Sequence, residues 1–214
     1  MNQPSKQAKP LAASPANENH KRTRPTMEEA KEAVRTLIRW AGDDPSREGL
    51  LDTPQRVVEA YQEFYAGYDE NPDDVLAKTF DDVAGYDEIV LLKNMQFESH
   101  CEHHMVPIIG RAHIAYLPDR KVVGISKIAR LLDVFAKRLQ TQELMTSQIA
   151  DTIERVLKPK AVCVIIDAAH ECMTTRGVHK AGTTTVTTQM RGTFKTDATA
   201  RAEVMRLVTS SDIG

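Results

Sequence analysis

Two apolar stripes at helical spacing run back to back through the middle of the chain, and they constrain the fold more than any other feature. From Ser126, residues Ile128, Leu131, Leu132, Phe135 and Leu139 recur at intervals of one helical turn, and Met145, Ile149, Ile153 and Val156 do the same until Pro159. A stripe of that period buries one face of a helix. Two β-prone stretches precede the pair, Glu88 to Phe97 and Ala112 to Leu117, and two follow, Ala161 to Asp167 and Thr183 to Met190. Strands in pairs around a pair of helices predict an α+β domain, an antiparallel sheet with two helices packed on it.

Further helices are predicted at both ends. Thr26 and Glu29 form a capping box, followed by Ala30, Val34, Leu37, Ile38 and Ala41 until Gly42. Thr53-Pro54 offers an N-cap with proline in the first turn, and Val57, Val58, Tyr61, Phe64 and Tyr65 form the stripe behind it, before Gly67. Asp197 caps a last helix carrying Ala202, Met205 and Leu207. Residues 1–25 hold almost no large apolar side chains and cannot repay their ordering entropy, so they are predicted to be a disordered tail. The 214 residues then make one domain over residues 26–214, with N-terminal helices in 26–67 and a sheet-and-helix unit in 85–210.

Charge narrows the function classes. The net charge of -2 divides into a basic N-terminal segment and an acidic remainder, which argues against general electrostatic binding of nucleic acid. An anionic ligand must instead meet a local cluster of cations. No apolar run approaches the ~18 residues of a membrane span. Cys101, Cys163 and Cys172 are an odd count without a secretory segment, which predicts a reducing, cytoplasmic setting. A transit peptide is the rival reading of the basic tail, but Pro4, Pro10, Pro15 and Pro25 break any long amphipathic helix there.

The densest chemistry is His100-Cys101-Glu102-His103-His104, matched much later by His170-Glu171-Cys172. Zinc takes cysteine sulfur and histidine nitrogen readily, and Cys101 and His104, three apart, can close on one ion. Cys172 is a candidate third ligand, and three protein ligands leave one position open, the catalytic rather than the structural arrangement. Packed or surface residues are the alternative that spacing leaves open. Cys163, inside the apolar run Val162 to Ile166, is expected to be a small core hydrophobe. If its segment is extended, His103 points away from the metal and toward a substrate. For His103 and His170, proton transfer stands beside the alternative of orienting a ligand. Lys127 and Arg130 lie one turn apart at a helix N-terminus that suits phosphate, Arg176 follows Cys172 by four residues, and Arg56 opens the second helix. For each cation taken alone, a solvated surface charge is the alternative.

Four ordered blocks, Cys101-Glu102-His103-His104, Gly124-Ile125-Ser126-Lys127-Ile128-Ala129-Arg130, Arg138-Leu139-Gln140-Thr141-Gln142-Glu143 and His170-Glu171-Cys172-Met173-Thr174-Thr175-Arg176-Gly177-Val178, resemble the signature of the GTP cyclohydrolase I family. The resemblance runs from about Met27 to Val208. It implies the tunnelling fold, a ring-forming α+β unit assembled as a decamer of two stacked pentamers with active sites between subunits. It further implies hydrolysis of GTP by water at purine C8, release of formate and re-closure to 7,8-dihydroneopterin triphosphate. By resemblance Cys101, His104 and Cys172 bind one Zn2+ per subunit, which can lower the pKa of bound water to about 7. His103 and His170 resemble the acid-base histidines, and Ser126 a residue of the later sugar rearrangement and ring closure. The same resemblance implies that Glu143 accepts from guanine N1-H and the 2-amino group with Gln142 as helper, while Lys127, Arg130, Arg176 and Arg56, the last from a neighbouring subunit, hold the triphosphate. Thr141 and Leu144 depart from the valine and arginine frequent in the family, and Glu171 separates His170 from Cys172.

Two rivals stay open at this stage: a zinc-stabilised module, which would need a fourth protein ligand and no cations, and a metal-free or nitrile-reducing relative of the same fold, which would not need both cysteines and His104. The tail carries a test of its own. Deleting residues 1–24 is expected to leave assembly and turnover nearly unchanged, because a segment without an apolar face makes few contacts. Loss of the oligomer on truncation would refute this.

Overall fold

The computed structural model describes residues 24–80 and 86–210, so the expected tail lies outside the described residues except for its last two positions. The described residues divide into two compact units, one ending at Val58 and the other beginning at Glu59.

In the first unit, α1 (Met27–Trp40) starts where the capping box places it. The Thr26 hydroxyl accepts from the Glu29 amide at 3.2 Å, and Glu29 Oε2 accepts from the Thr26 amide at 2.7 Å. The helix is amphipathic, with Arg35 bridging Glu28 and Glu32 on its polar face. None of its residues is buried, however, and Leu37 and Trp40 are 63% and 86% exposed. Helix α2 (Thr53–Phe64), whose residues from Glu59 onward belong to the second unit, begins one residue earlier than the proline signal implies, with Thr53 inside it and Pro54 buried. A 3-10 turn, Glu48–Leu50, precedes it.

The second unit holds the sheet. Strands β2 (Val90–Cys101), β3 (Pro107–Leu117), β5 (Leu139–Gln140), β6 (Ala161–His170) and β7 (Thr184–Gly192) are ordered β5-β2-β3-β6-β7. All pairs are antiparallel except the two-residue contact of β5 with β2. Short strands β1 (Thr79–Phe80) and β4 (Val122–Val123) pair separately. The predicted helices are α4 (Ile125–Ala136) and α5 (Gln142–Leu157), with α3 (Pro72–Leu76), capped by Asn71, before them. Their stripes meet Val162, Val164 and Ile166 of β6 in one core with Leu131, Phe135, Met145, Ile149 and Ile153. The opposite face of β6, Ala161, Cys163 and Ile165, packs with Phe194 of α7 (Thr193–Thr196) and Val204 of α8 (Ala198–Thr209). A strand covered on both faces reads as a continuous apolar run, which is what Ala161 to Ile166 is. Cys163 is buried there as expected, and burial pushes its thiol up to about 12.

One expectation needs correcting. Leu139 continues the period of α4, yet the helix ends at Ala136 and Leu139 belongs to β5. Lys137 leaves helical geometry at ψ 51°, and its carbonyl accepts from the Gly67 amide at 3.0 Å instead of from a further helical turn. Gly67 is required there because a Cβ would lie 2.2 Å from the Val134 oxygen. The short helices α3, α7 and α6 (Glu171–Thr174) left no period to read, since each spans barely one turn.

Strand β2 carries a bulge between Leu92 and Met95, where Asn94 adopts φ 59° and its amide donates to His113 Nδ1 at 3.4 Å. Burial, and then Lys93 and Arg111, hold the His113 pKa below its usual value, with Asp167 opposing. A protonated ring would turn an N–H toward the Asn94 amide. Because the folded pKa is depressed, the unfolded chain binds more protons as pH falls through about 6.5, and stability must fall with it. Urea midpoints at about pH 7.5 and 5.5 are expected to drop less for His113→Gln than for the unaltered protein. Equal drops would remove His113 as a source of acid sensitivity.

Candidate metal centre and nucleotide site

The two ligand-bearing segments lie far apart in sequence and adjacent in the sheet. His100 on β2 pairs with Pro107 on β3, and the next residue, Ile108, pairs with His170 on β6. Both segments therefore leave the sheet at the same end. Beyond β2 the chain makes a tight turn: the Met105 amide donates to the Cys101 carbonyl at 2.8 Å, Met105 takes φ 55°, and the Cys101 amide donates to the Val106 carbonyl at 2.9 Å. That turn swings His104 back over Cys101. Beyond β6, Glu171 starts α6, where its carboxylate accepts from the Thr174 hydroxyl and its carbonyl from the Thr175 amide, and this single turn carries Cys172.

The ligand atoms of Cys101, His104 and Cys172 all lie within 4.8 Å of one another. One zinc ion with sulfur at about 2.3 Å and nitrogen at about 2.0 Å spans donors roughly 3.5–4 Å apart, so small side-chain motions would close the set. The donor chemistry, two thiols and an imidazole, fits zinc, and no fourth donor belongs to this group among the described residues. Cys101 is buried and Cys172 half-buried. Burial, and then the neighbouring Cys101, raise the Cys172 thiol, while Arg176 pulls it down. Arg176 Nη1 donates to His104 Nε2 at 2.9 Å, so a cation stands at the mouth of the group.

His103 differs from its expected orientation. Its segment is a turn and not an extended strand, so side-chain alternation does not apply, and His103 Nδ1 lies 3.6 Å from Cys101 Sγ. The ring is otherwise exposed and near Glu102. His170 stands on the β6 end with Nε2 2.8 Å from Gln142 Oε1. Burial lowers its pKa, and the carboxylate of Glu143 acts against that shift, which puts Glu143 within electrostatic reach of His170. Glu143 itself is exposed on the first turn of α5. Gln142, expected beside it as a second group on guanine, has its amide engaged within the protein at both ends.

A family model described as GTP cyclohydrolase I matches residues 30–209. The GTP cyclohydrolase 1 of Maricaulis maris (strain MCS10) is 58% identical over 186 residues, 87% of this chain and 91% of that protein. The chain belongs to the GTP cyclohydrolase I family. The GTP cyclohydrolase 1 of Allorhizobium ampelinum (strain ATCC BAA-846 / DSM 112012 / S4) is also 58% identical over 186 residues, 87% of this chain and 92% of that one. A solved archaeosine synthase QueF-like structure aligns at TM-score 0.41 and 17% identity over 49% of this chain and 93% of its own, too loosely to bear on the fold.

As a GTP cyclohydrolase I family member the chain is a hydrolase, and zinc dependence is a property of that family. The remaining expected residues belong to other elements. Ser126, Lys127 and Arg130 ride on the first turns of α4, whose N-cap Gly124 supplies no side-chain cap, leaving amide donors available to an anion. Among the described residues no hydrogen bond or ion pair ties these three to Cys101, His104 or Cys172. Arg56 belongs to the first unit and pairs with Asp52 at 3.2 Å. Sequence reasoning passed over the aromatic bracing of His100, which stacks on Phe64 at 4.7 Å and meets Tyr65 edge-on at 5.4 Å. The only signal was that Phe64 and Tyr65 close the α2 stripe.

Cys172→Ala is expected to lose bound zinc, whereas His103→Ala is expected to retain it. Metal analysis of the two purified variants decides this, and a metal-free His103→Ala would make His103 a ligand or its support.

Proposed function

We propose that the protein hydrolyses the imidazole ring of GTP at C8, releases formate and recloses the product as 7,8-dihydroneopterin triphosphate. The observation that carries this reading is the convergence of Cys101, His104 and Cys172 within one ion's reach, beside Arg176 and with His170 and Glu143 adjoining. A zinc ion held by those three residues, one per subunit, would supply the Lewis acidity that attack by water near neutral pH requires.

The chain's own residues divide the rest of the work. His103 and His170 exchange protons with the purine N7 region and with the departing formate, since an imidazole changes charge near neutrality. Ser126 serves the later opening and rearrangement of the sugar. Arg176, Lys127 and Arg130 hold the triphosphate, the last two with the α4 amides behind them. Arg56 contributes from a neighbouring subunit in a decamer of two pentamers, which acts in the cytoplasm with GTP and water as substrates and binds neither nucleic acid nor membrane. Within the described residues, no helix is long and apolar enough to cross a membrane.

Guanine recognition falls to Glu143. Guanine offers N1-H and the 2-amino group as adjacent donors, and one carboxylate accepts both. Glu143→Gln keeps the shape and sets a donor against a donor; losing a charged hydrogen bond costs about 1.5–3 kcal/mol. GTP binding is expected to weaken about tenfold or more with zinc content unchanged. Inosine triphosphate lacks the 2-amino donor, so the preference for GTP over it is expected to shrink in the variant. Undiminished discrimination would assign the base to other groups.

A further inference from the structure

The amide of Gln142 is the most fully committed polar group near the site. The residue is 1% exposed. Its Nε2 lies 3.0 Å from the Ile166 carbonyl, 2.8 Å from the Thr185 carbonyl and 3.1 Å from Thr187 Oγ1. Its Oε1 lies 2.8 Å from His170 Nε2. Carbonyl oxygens only accept, so the end of the amide that faces Ile166 and Thr185 must be the NH2, and its two hydrogens serve both. The orientation of the amide is thereby fixed by the main chain of β6 and β7.

The hydroxyls beside it agree. Thr146 Oγ1 donates to the Gln142 carbonyl at 2.6 Å, which spends its one hydrogen. Thr187 Oγ1, 2.7 Å from Thr146 Oγ1, must then donate to it, and this turns a lone pair of Thr187 toward the Gln142 NH2. Every donor in this buried network has an acceptor, and none can be reversed alone. Rotating the amide to present NH2 to His170 would set Oε1 against two carbonyls.

The consequence reaches His170. An amide oxygen only accepts, so His170 Nε2 must bear the hydrogen, and a neutral ring must hold its lone pair on Nδ1. We propose that Gln142 is a positioning residue that locks His170 in the Nε2-H tautomer, leaving Nδ1 as the nitrogen that takes and returns the proton, and that it does not read the guanine base. This rests on the proposed role of His170 as a proton carrier. A ring held at one nitrogen by a buried partner also keeps its plane, which is the other requirement for proton transfer at a set distance.

The test uses the full-length, zinc-loaded protein with 15N-labelled histidine. At about pH 8.5, where an ordinary histidine is neutral, two-bond 1H–15N correlations identify the protonated nitrogen of each ring, and His170→Gln assigns the signal. The unaltered protein is expected to show His170 as Nε2-H. Gln142→Leu is expected to give mixed tautomers and a kcat lower by about tenfold or more, with KM for GTP and the preference for GTP over inosine triphosphate unchanged. An Nδ1-H ring in the unaltered protein would overturn the proposal even if Gln142→Leu does not fold. So would an unmixed tautomer in Gln142→Leu, or a loss of discrimination between the nucleotides. If the tautomer is as stated but His170→Gln still releases formate at the normal rate, it is the proton-carrier role that fails, and the lock stands as a structural feature only.

Discussion

The ladder between β3 and β6 is the constraint on which the rest of this unit depends. Its ten registered pairs run from Ile108 with His170 to Leu117 with Ala161. It is held from both sides, by Val162, Val164 and Ile166 toward α4 and α5 and by Cys163 and Ile165 toward α7 and α8. Each fully buried aliphatic side chain contributes about 1.5–3 kcal/mol, whereas exposed ion pairs such as those on α1 are worth about 1 kcal/mol at most. A slip of one residue would send every one of these side chains to the wrong face. It would also carry Cys172 about 3.3 Å along the strand direction, outside the reach of Cys101 and His104. Gly110 shows how closely the two strands approach, since a Cβ there would lie 2.3 Å from the Asp167 carbonyl oxygen.

The site sits where these strands stop. Its inner wall is buried and hydrogen-bonded: Cys101 ends β2 in the core, and the Gln142 network ties α5, β6 and β7 beneath His170. Its outer wall is made of exposed groups, His103, His104 and Arg176 on short turns and Glu143 on the first turn of α5. Loops on a rigid scaffold can meet a ligand without disturbing the core. The histidine and the glutamate that follow from this arrangement come from different strands and helices, so their spacing is set by packing and not by the local chain.

Much of this is legible in the amino-acid sequence. The α4 and α5 stripes, the apolar β6 run and the capping box of α1 all carry a period or a local hydrogen bond that sequence encodes directly. Leu139 misled because period persists in the letters after the helix has ended, and what ends it is the Lys137 carbonyl accepting from the Gly67 amide, a partner distant in sequence. His103 misled because alternation presumes an extended segment, and the segment turns. Gln142 read as a group available to a ligand because its partners, Ile166, Thr185 and Thr187, are distant in sequence.

By itself, then, the sequence determined the mixed α+β class, the helix pair, the apolar strand that is β6 and the identity of the ligand-type residues. Those follow from side-chain chemistry and from periods of 2 and 3.6 residues, both local properties. Tertiary structure alone decided that Cys172 meets Cys101 and His104, that His103 lies beside a thiol, and that both ends of the Gln142 amide are engaged. Such facts depend on strand register and on which buried donors and acceptors come face to face, and a buried polar group must take whatever partner the assembled fold provides.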